Sequence, residues 1–301
     1  MALLACDGIP SVHEVRDGLA LHDTYAWHMR CGSVWWGDAR QLLNGIESGS
    51  VSAVVTDPAY WSQDKYRAIG TTTRLGGGLK AEERNEARWF ETIGVEDLHE
   101  VIRECDRVLA RDGHAWMMCD GLVAAYIRMY AELDEHHSFV YAKTFPVLKM
   151  AGTGGFRAGT GYNMRAACEF VVLLKKGRRF LKNGALNLDP GTGKPLRNGR
   201  VSADVFAPQW CGDAETRPFT PDGLPYPTAK PLGLVEQLIE ESTLPGETVL
   251  DPFLGSGTTA LAAMKLGRRF LGMDISSRAI ETTFNRLRAE AARLPLGGDN
   301  G

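Results

Sequence analysis

The sequence has few of the features that mark zinc sites, disulfide-bonded domains or membrane proteins. Its six cysteines are scattered, and no two of them form a C-x-x-C pair. This spacing argues against a metal site and against a disulfide scaffold, and it predicts a reduced, cytoplasmic location. No apolar run is long enough to span a bilayer, so no membrane partner is expected. A P-loop Gly-Lys-Ser/Thr is also missing, which argues against nucleoside triphosphate hydrolysis.

A large excess of either charge is absent too, because the net charge is only −3. Any attraction to nucleic acid must therefore come from a local basic region. One such region runs from Lys175 to Ala203, where the single acid is Asp189. This pattern predicts phosphate contacts, with an ordinary solvated surface as the alternative. The candidate DNA-binding residues are Lys175, Lys176, Arg178, Arg179, Lys182, Arg197 and Arg200.

Strand-like and helix-like patterns alternate over most of the 301 residues. Strands are predicted at 33–36, 51–57, 114–119, 138–145, 166–174, 247–251 and 268–274. Helices are predicted at 38–46, 95–110, 122–133, 232–243, 257–267 and 277–294. This alternation predicts an α/β fold with a largely parallel sheet that is covered on both faces. The predicted divisions are an N-terminal extension at 1–32, two halves of one domain at 33–174 and 227–294, an inserted unit at 175–226 and a tail at 295–301.

A glycine-rich turn lies between the strand that ends at Asp251 and the helix that follows it. Glycines allow the backbone to turn sharply and to approach a ligand closely. Asp274 ends the next strand, where a carboxylate can accept hydrogen bonds from both ribose hydroxyls. The alternative is a plain tight turn in which Asp274 caps the following helix. The candidate cofactor-binding residues here are Asp251, Pro252, Phe253, Gly255, Ser256, Gly257, Thr258, Thr259 and Asp274.

The position of this turn in the chain bears on the identity of the cofactor. A dinucleotide-binding half opens a doubly wound sheet and needs more strands after it. Only one helix can follow Asp274, so the rest of the sheet must come from earlier in the chain. That arrangement is circularly permuted. It favours S-adenosylmethionine over NAD.

The sequence Asp57-Pro58-Ala59-Tyr60 follows a predicted strand, at the edge where such sheets bind ligands. The amino nitrogen of a nucleobase is a poor nucleophile because its lone pair is delocalised into the ring. The Asp57 carboxylate and the Pro58 carbonyl can each accept one N–H, which turns the lone pair towards a sulfonium methyl group. The Tyr60 ring can stack on a base that has left the duplex. The alternative is a common proline-containing β-turn.

Together, and in this order, the two motifs resemble those of the β group of DNA amino-methyltransferases from restriction–modification systems. The resemblance implies a Rossmann-like, circularly permuted methyltransferase fold that uses S-adenosylmethionine and has a target-recognition region at 175–226. It also implies that Asp38 contacts the cofactor adenine and that Lys230 and Pro231 line the methionine end of the pocket. Ala59 departs from the family pattern, which usually has a second proline there.

The resemblance further implies methylation of N6 of a flipped adenine in double-stranded DNA. The alternatives are cytosine-N4 methylation by the same machinery, a catalytically silent DNA-binding relative, and an enzyme that acts on RNA or protein. A bacterial or phage-encoded monomer or homodimer is expected. It would act either alone or beside a separate restriction endonuclease.

Overall fold

The computed structural model describes residues 12–14, 25–29, 31–60, 92–148, 168–177, 206, 218–223, 226 and 228–293. Its strands are β1 (Val12–Glu14), β2 (Tyr25–Met29), β3 (Gly32–Trp36), β4 (Val51–Thr56), β5 (Leu109–Cys119), β6 (Phe139–Leu148), β7 (Cys168–Lys176), β8 (Thr248–Asp251) and β9 (Arg269–Asp274). Its helices are α1 (Ala39–Leu42), α2 (Val95–Val108), α3 (Gly121–Leu133), α4 (Leu232–Ser242), α5 (Thr258–Lys265) and α6 (Ser277–Ala291), and a 3₁₀ turn at Leu43–Gly45 follows α1.

These strands form one sheet in the spatial order β1-β2-β3-β9-β8-β4-β5-β7-β6. The five central strands, from β3 to β5, are parallel. The strands at the two margins pair antiparallel. Since the carboxyl ends of parallel strands meet at one edge, the turns after β4, β8 and β9 lie together there.

Helices cover both faces of the sheet, and a separate apolar core lies beneath each layer. On one face, α2 and α3 bury Leu98, Ile102 and Ile127. On the other face, α4 and α5 bury Leu238 and Ala262. The expected α/β fold with helices on both faces of the sheet is therefore confirmed. The sheet itself is mixed rather than largely parallel, because both of its margins are antiparallel. The circular permutation and the inserted target-recognition region stay predictions.

Local sequence explains where these helices begin and end. Glu96 and Asp97 place negative charge in the first turn of α2, next to the positive end of the helix dipole. Asp120 caps α3, because its carboxylate accepts a hydrogen bond from the Val123 N–H. Ser276 caps α6 in the same way through Ala279. None of the described helices is long and apolar enough to cross a membrane.

Several boundaries differ from the predictions, and three of the differences bear on how the chain is organised. Strand β5 begins at Leu109, five residues before the predicted start at 114. Strand β7 continues to Lys176, so the predicted division at 174/175 falls inside a strand. The predicted N-terminal extension at 1–32 contributes β1 and β2, which extend the same sheet beyond β3.

Candidate functional site

The carboxyl ends of β4, β8 and β9 open into a cavity of about 220 Å³. The Asp57 turn from one half of the chain and the glycine-rich turn from the other half both reach it. Most of the predicted cofactor-binding residues therefore lie around a single cavity. Those that line it are Asp38, Lys230, Asp251, Pro252, Phe253, Gly255, Ser256, Thr258, Thr259 and Asp274, and Asp57 lies beside them.

The glycine-rich turn requires its glycines for two different reasons. Gly255 and Gly257 have φ values of 55° and 77°, in the left-handed region that L side chains disfavour. A Cβ on Gly257 would also lie 2.5 Å from Thr283 Oγ1, on α6. Thr283 Oγ1 donates to the Gly255 carbonyl at 3.1 Å, and Arg286 Nη1 donates to the Ser256 carbonyl at 2.6 Å. Helix α6 therefore holds the turn in place. The sequence alone gave no signal for Thr283 or Arg286.

The Asp274 carboxylate holds the glycine-rich turn in place and can still accept further hydrogen bonds. Its Oδ2 accepts from the Gly255 N–H and its Oδ1 from the Ser276 N–H, both at 2.8 Å. Burial raises its pKa to about 6, and the two backbone hydrogen bonds oppose that rise. A carboxylate can accept about four hydrogen bonds, so sites for ribose hydroxyls remain. The capping alternative holds only in part, because the N-cap residue of α6 is Ser276.

Asp251 is occupied by contacts within the protein. Its Oδ1 accepts from Thr56 Oγ1 at 2.7 Å and from the Phe253 N–H at 3.0 Å. Burial raises its pKa to about 6. Asp251 therefore ties β4 to β8 and shapes the start of the turn.

In the described part of the chain, no cluster of three or more His, Cys, Asp or Glu residues could hold a metal ion.

Asp57 lies in a charged cluster that the sequence did not reveal. The Lys230 ammonium donates to Asp57 Oδ2 and lies 3.7 Å from Glu169 Oε2 of β7. Asp57 Oδ1 is buried and has no hydrogen-bond partner among the described residues. Burial raises the pKa of Asp57, the Lys230 charge opposes that rise, and Glu169 adds to it. Lys230, expected at the methionine end of the pocket, thus contacts the predicted catalytic carboxylate.

The residues that follow Asp57 in this turn are buried or half-buried. Tyr60 is only 5% exposed and belongs to the apolar core on the α2 and α3 face of the sheet. Stacking of Tyr60 on a flipped base stays a prediction, and it would require the ring to become accessible from this buried position. The Ala59 carbonyl accepts from the Ile93 N–H at 2.6 Å. That bond holds the turn although the second proline of the family is missing, and Pro58 is buried behind it.

Asp38 lies at another end of the cavity and caps α1. Its Oδ1 accepts from the Arg40 N–H at 2.9 Å and from Arg40 Nε at 3.1 Å. Arg40 also pairs with Asp97 of α2. The hydrogen bonds from the Arg40 side chain lower the pKa of Asp38 below its ordinary value. The cavity therefore has a firmly ionised carboxylate at this end.

The predicted DNA-binding lysines at the end of β7 lie away from this cavity. Lys175 pairs with His114, towards the amino ends of the parallel strands, whereas Asp57 follows their carboxyl ends. Lys176 Nζ donates to the main-chain carbonyls of Asp106 and Leu109, at 2.6 and 3.0 Å. Those internal bonds argue against phosphate contact by Lys176. Outside the described residues lie Arg178, Arg179, Lys182, Arg197 and Arg200.

Comparison with known proteins agrees with this geometry. The DNA methylase family model for N6 and N4 enzymes matches residues 51–285. The DNA adenine methyltransferase YhdJ of Escherichia coli is 26% identical over 265 residues, covering 83% of this chain and 81% of its own length. The type II methyltransferase M2.DpnII of Streptococcus pneumoniae is 26% identical over 262 residues, covering 84% of this chain and 88% of its own length.

Solved structures share the fold. The DNA modification methylase TTHA0409 from Thermus thermophilus, complexed with S-adenosyl-L-methionine, superposes with a TM-score of 0.55 at 22% identity, covering 86% of this chain and 94% of that chain. The cytosine-N4-specific PvuII DNA methyltransferase superposes with a TM-score of 0.55 at 15% identity, covering 87% and 90%. The family match covers most of the chain and includes both turns at the cavity. The chain therefore belongs to the N6/N4 family of DNA methylases.

Proposed function

We propose that this protein transfers a methyl group from S-adenosylmethionine to N6 of a flipped adenine in double-stranded DNA. The observation that carries the proposal is the Asp57 carboxylate at the cavity. One of its oxygens is fixed by Lys230, and the other is buried without a hydrogen-bond partner in the part of the chain that the structure describes. A buried acceptor of this kind is costly unless it is paired, so it suits a donor brought by the substrate.

The residues around the cavity fit S-adenosylmethionine. Asp274 keeps acceptor sites for the ribose hydroxyls. A side chain at Gly257 would collide with Thr283, and the positive φ of Gly255 disfavours a side chain there. Asp38, ionised beside Arg40, suits the amino group of the cofactor adenine. The bound complex of the Thermus thermophilus methylase supports the same cofactor for a protein of this fold. When bound, S-adenosylmethionine supplies a methyl group activated on a sulfonium.

The chain itself contributes orientation and proton acceptance. Asp57 Oδ1 and the Pro58 carbonyl each accept one N–H of the target amine, which directs the nitrogen lone pair at the methyl carbon. A C–N bond forms as the C–S bond breaks, and the sulfur keeps the bonding electrons. The nitrogen then releases one proton, for which Asp57 Oδ1 is the adjacent acceptor.

Adenine is the preferred target because aspartate occupies the first position of the turn. In the β group of DNA amino-methyltransferases, which this chain resembles, cytosine-N4 enzymes more often carry serine at that position. A relative named as an adenine methyltransferase supports this choice. The second candidate is cytosine N4, favoured by the structural likeness to the cytosine-N4-specific PvuII enzyme.

Target recognition is proposed for the region that begins after β7. The basic segment there suits phosphate contacts, and its asparagines and arginines suit base edges. Cooperation with a separate restriction endonuclease belongs to the same proposal, because a relative is a type II methyltransferase.

The test is to incubate DNA with labelled S-adenosylmethionine and identify the modified nucleoside. We expect N6-methyladenine from the native protein. Asp57→Ala should abolish the product while S-adenosylmethionine affinity stays nearly unchanged. Glu132→Ala, an acidic residue on the exposed side of α3, serves as the matched control and should methylate normally. N4-methylcytosine as the product would favour the second candidate, and full turnover by Asp57→Ala would exclude Asp57 from catalysis.

A further inference from the structure

Three charged side chains from distant parts of the chain meet at the catalytic turn. Asp57 follows β4, Glu169 lies in β7, and Lys230 lies two residues before the start of α4. Their side chains are 18%, 21% and 11% exposed, respectively. Two carboxylates therefore share one largely buried ammonium. Such a group is costly to desolvate and is retained only where its geometry is useful or its charges are matched.

The contacts within this cluster are asymmetric. Lys230 donates to only one oxygen of Asp57, Oδ2. On its other side it lies 3.7 Å from Glu169 Oε2, which limits where the ammonium can move. Asp57 Oδ1 therefore has a defined direction, and none of the residues that the structure describes forms a hydrogen bond with it. A free carboxylate could rotate and present either oxygen, whereas this one presents only Oδ1.

We propose that Lys230, backed by Glu169, is a positioning residue that orients Asp57 Oδ1 towards the target amine, and is not a ligand of the cofactor. The inference rests on the proposed function, because it assigns the acceptor that the amine would meet. Lys230 acts through Asp57 and does not need to touch the cofactor.

The charge balance favours this role over cofactor binding. The methionine carboxylate of a cofactor would have to compete with two protein carboxylates already beside the ammonium. Lys230 also favours the ionised form of Asp57 at this buried position. Protonation of Asp57 would reduce the number of hydrogen bonds that its carboxyl oxygens can accept. Burial raises the pKa of Asp57, and Lys230 is the cation that opposes this rise.

Because Lys230 and Glu169 act on the pKa of Asp57 in opposite directions, removing one or the other charge should shift the pH dependence of turnover in opposite directions. The charged or titratable groups that act on Asp57 or feel its charge are Lys230, Glu169, Asp251, Cys119 and Tyr226. Lys230→Met removes the stabilising cation, so the acid limb of the kcat–pH profile should move to higher pH by about one unit or more. Glu169→Gln removes a repelling anion, so the same limb should move to lower pH. Lys230→Arg keeps the charge and should stay near the native limb.

The affinity for S-adenosylmethionine, measured by calorimetry, separates positioning from cofactor binding. Lys230→Met should lower kcat about ten- to hundred-fold, the loss typical of a hydrogen bond to a charged group, with cofactor affinity nearly unchanged. Lys265→Met, which removes a surface lysine of α5 paired with Glu290, is the matched control and should change neither.

Three outcomes would overturn the inference. They are a loss of cofactor affinity without a shift of the acid limb in Lys230→Met, an upward shift in Glu169→Gln, and normal turnover of Lys230→Met at every pH. If Lys230→Met does not fold, the directions for Glu169→Gln and Lys230→Arg still decide the matter. A native protein that methylates no DNA would refute the proposed function itself, and that result is read before any variant is compared.

Discussion

Gly257→Ala is expected to destabilise the protein through two effects that can be separated. At φ 77° the alanine would occupy the left-handed region, at a cost of about 1–2 kcal/mol. Its Cβ would also lie 2.5 Å from Thr283 Oγ1 and 2.6 Å from Thr283 Cγ2, and such overpacking costs about 1–3 kcal/mol. The free energy of unfolding should therefore fall by about 2–5 kcal/mol.

The chain offers a matched control for the first effect alone. Gly246 has φ 83°, and a Cβ there would meet nothing within 4 Å, so Gly246→Ala should show only the backbone cost. Urea denaturation of both variants measures the difference, which is the cost of the clash. Adding Thr283→Ala to Gly257→Ala removes the two closest atoms and should recover much of it. If Gly257→Ala were no worse than Gly246→Ala, or if Thr283→Ala gave no recovery, the account of α6 supporting the turn would be wrong.

Three further predictions concern the site and the core. Asp274→Ala should weaken S-adenosylmethionine binding about ten- to hundred-fold through lost hydrogen bonds, measured by calorimetry, and unchanged affinity would contradict the ribose role. Ser242→Ala should cost about 1–3 kcal/mol in urea denaturation, because it leaves the buried Trp116 Nε1 without its acceptor at 2.6 Å, and no loss would mean that another acceptor replaces it. Asp251 has a pKa raised to about 6, so its contribution to stability is present at low pH and falls as pH rises from about 4 to about 6. The stability of the native protein relative to Asp251→Asn should fall over that window, and a rise would refute the sign.

The sequence was informative where a function depends on a short contiguous segment. The turn at Gly255 and Gly257 lies between an apolar strand and a helix, and both patterns are local. The same holds for Asp57, which directly follows β4. Since parallel strands end at a common edge, the local patterns also predict that the two turns meet.

The supporting side chains could not be predicted, because they come from elements far away in the sequence. Thr283 and Arg286 support the turn from α6, and Glu169 reaches Lys230 from β7. No spacing rule links such positions. Tyr60 illustrates a different limit, because the local sequence does not tell whether a tyrosine after a turn is exposed to a ligand or packed in the core. In the structure it is buried in the same core as Leu98 and Ile127.

The basic segment shows that the end of a strand is hard to predict where a run of charged residues begins. Lys176 ends β7, two residues after the buried Leu174, and its ammonium donates to the main-chain carbonyls of Asp106 and Leu109. From the sequence, this lysine was indistinguishable from the basic residues that follow it.

The order of the strands has a consequence for how the molecule is made. β3 and β4 are consecutive along the chain, yet β9 and β8 lie between them in the sheet. A growing polypeptide that has already released Asp57 from the ribosome therefore has a gap at the centre of its sheet, which only residues near 248–274 can fill. Such long-range pairing slows folding and leaves strand edges open in the meantime. The catalytic half should consequently be unable to hold a cofactor until β8 and β9 have been synthesised and have paired with it.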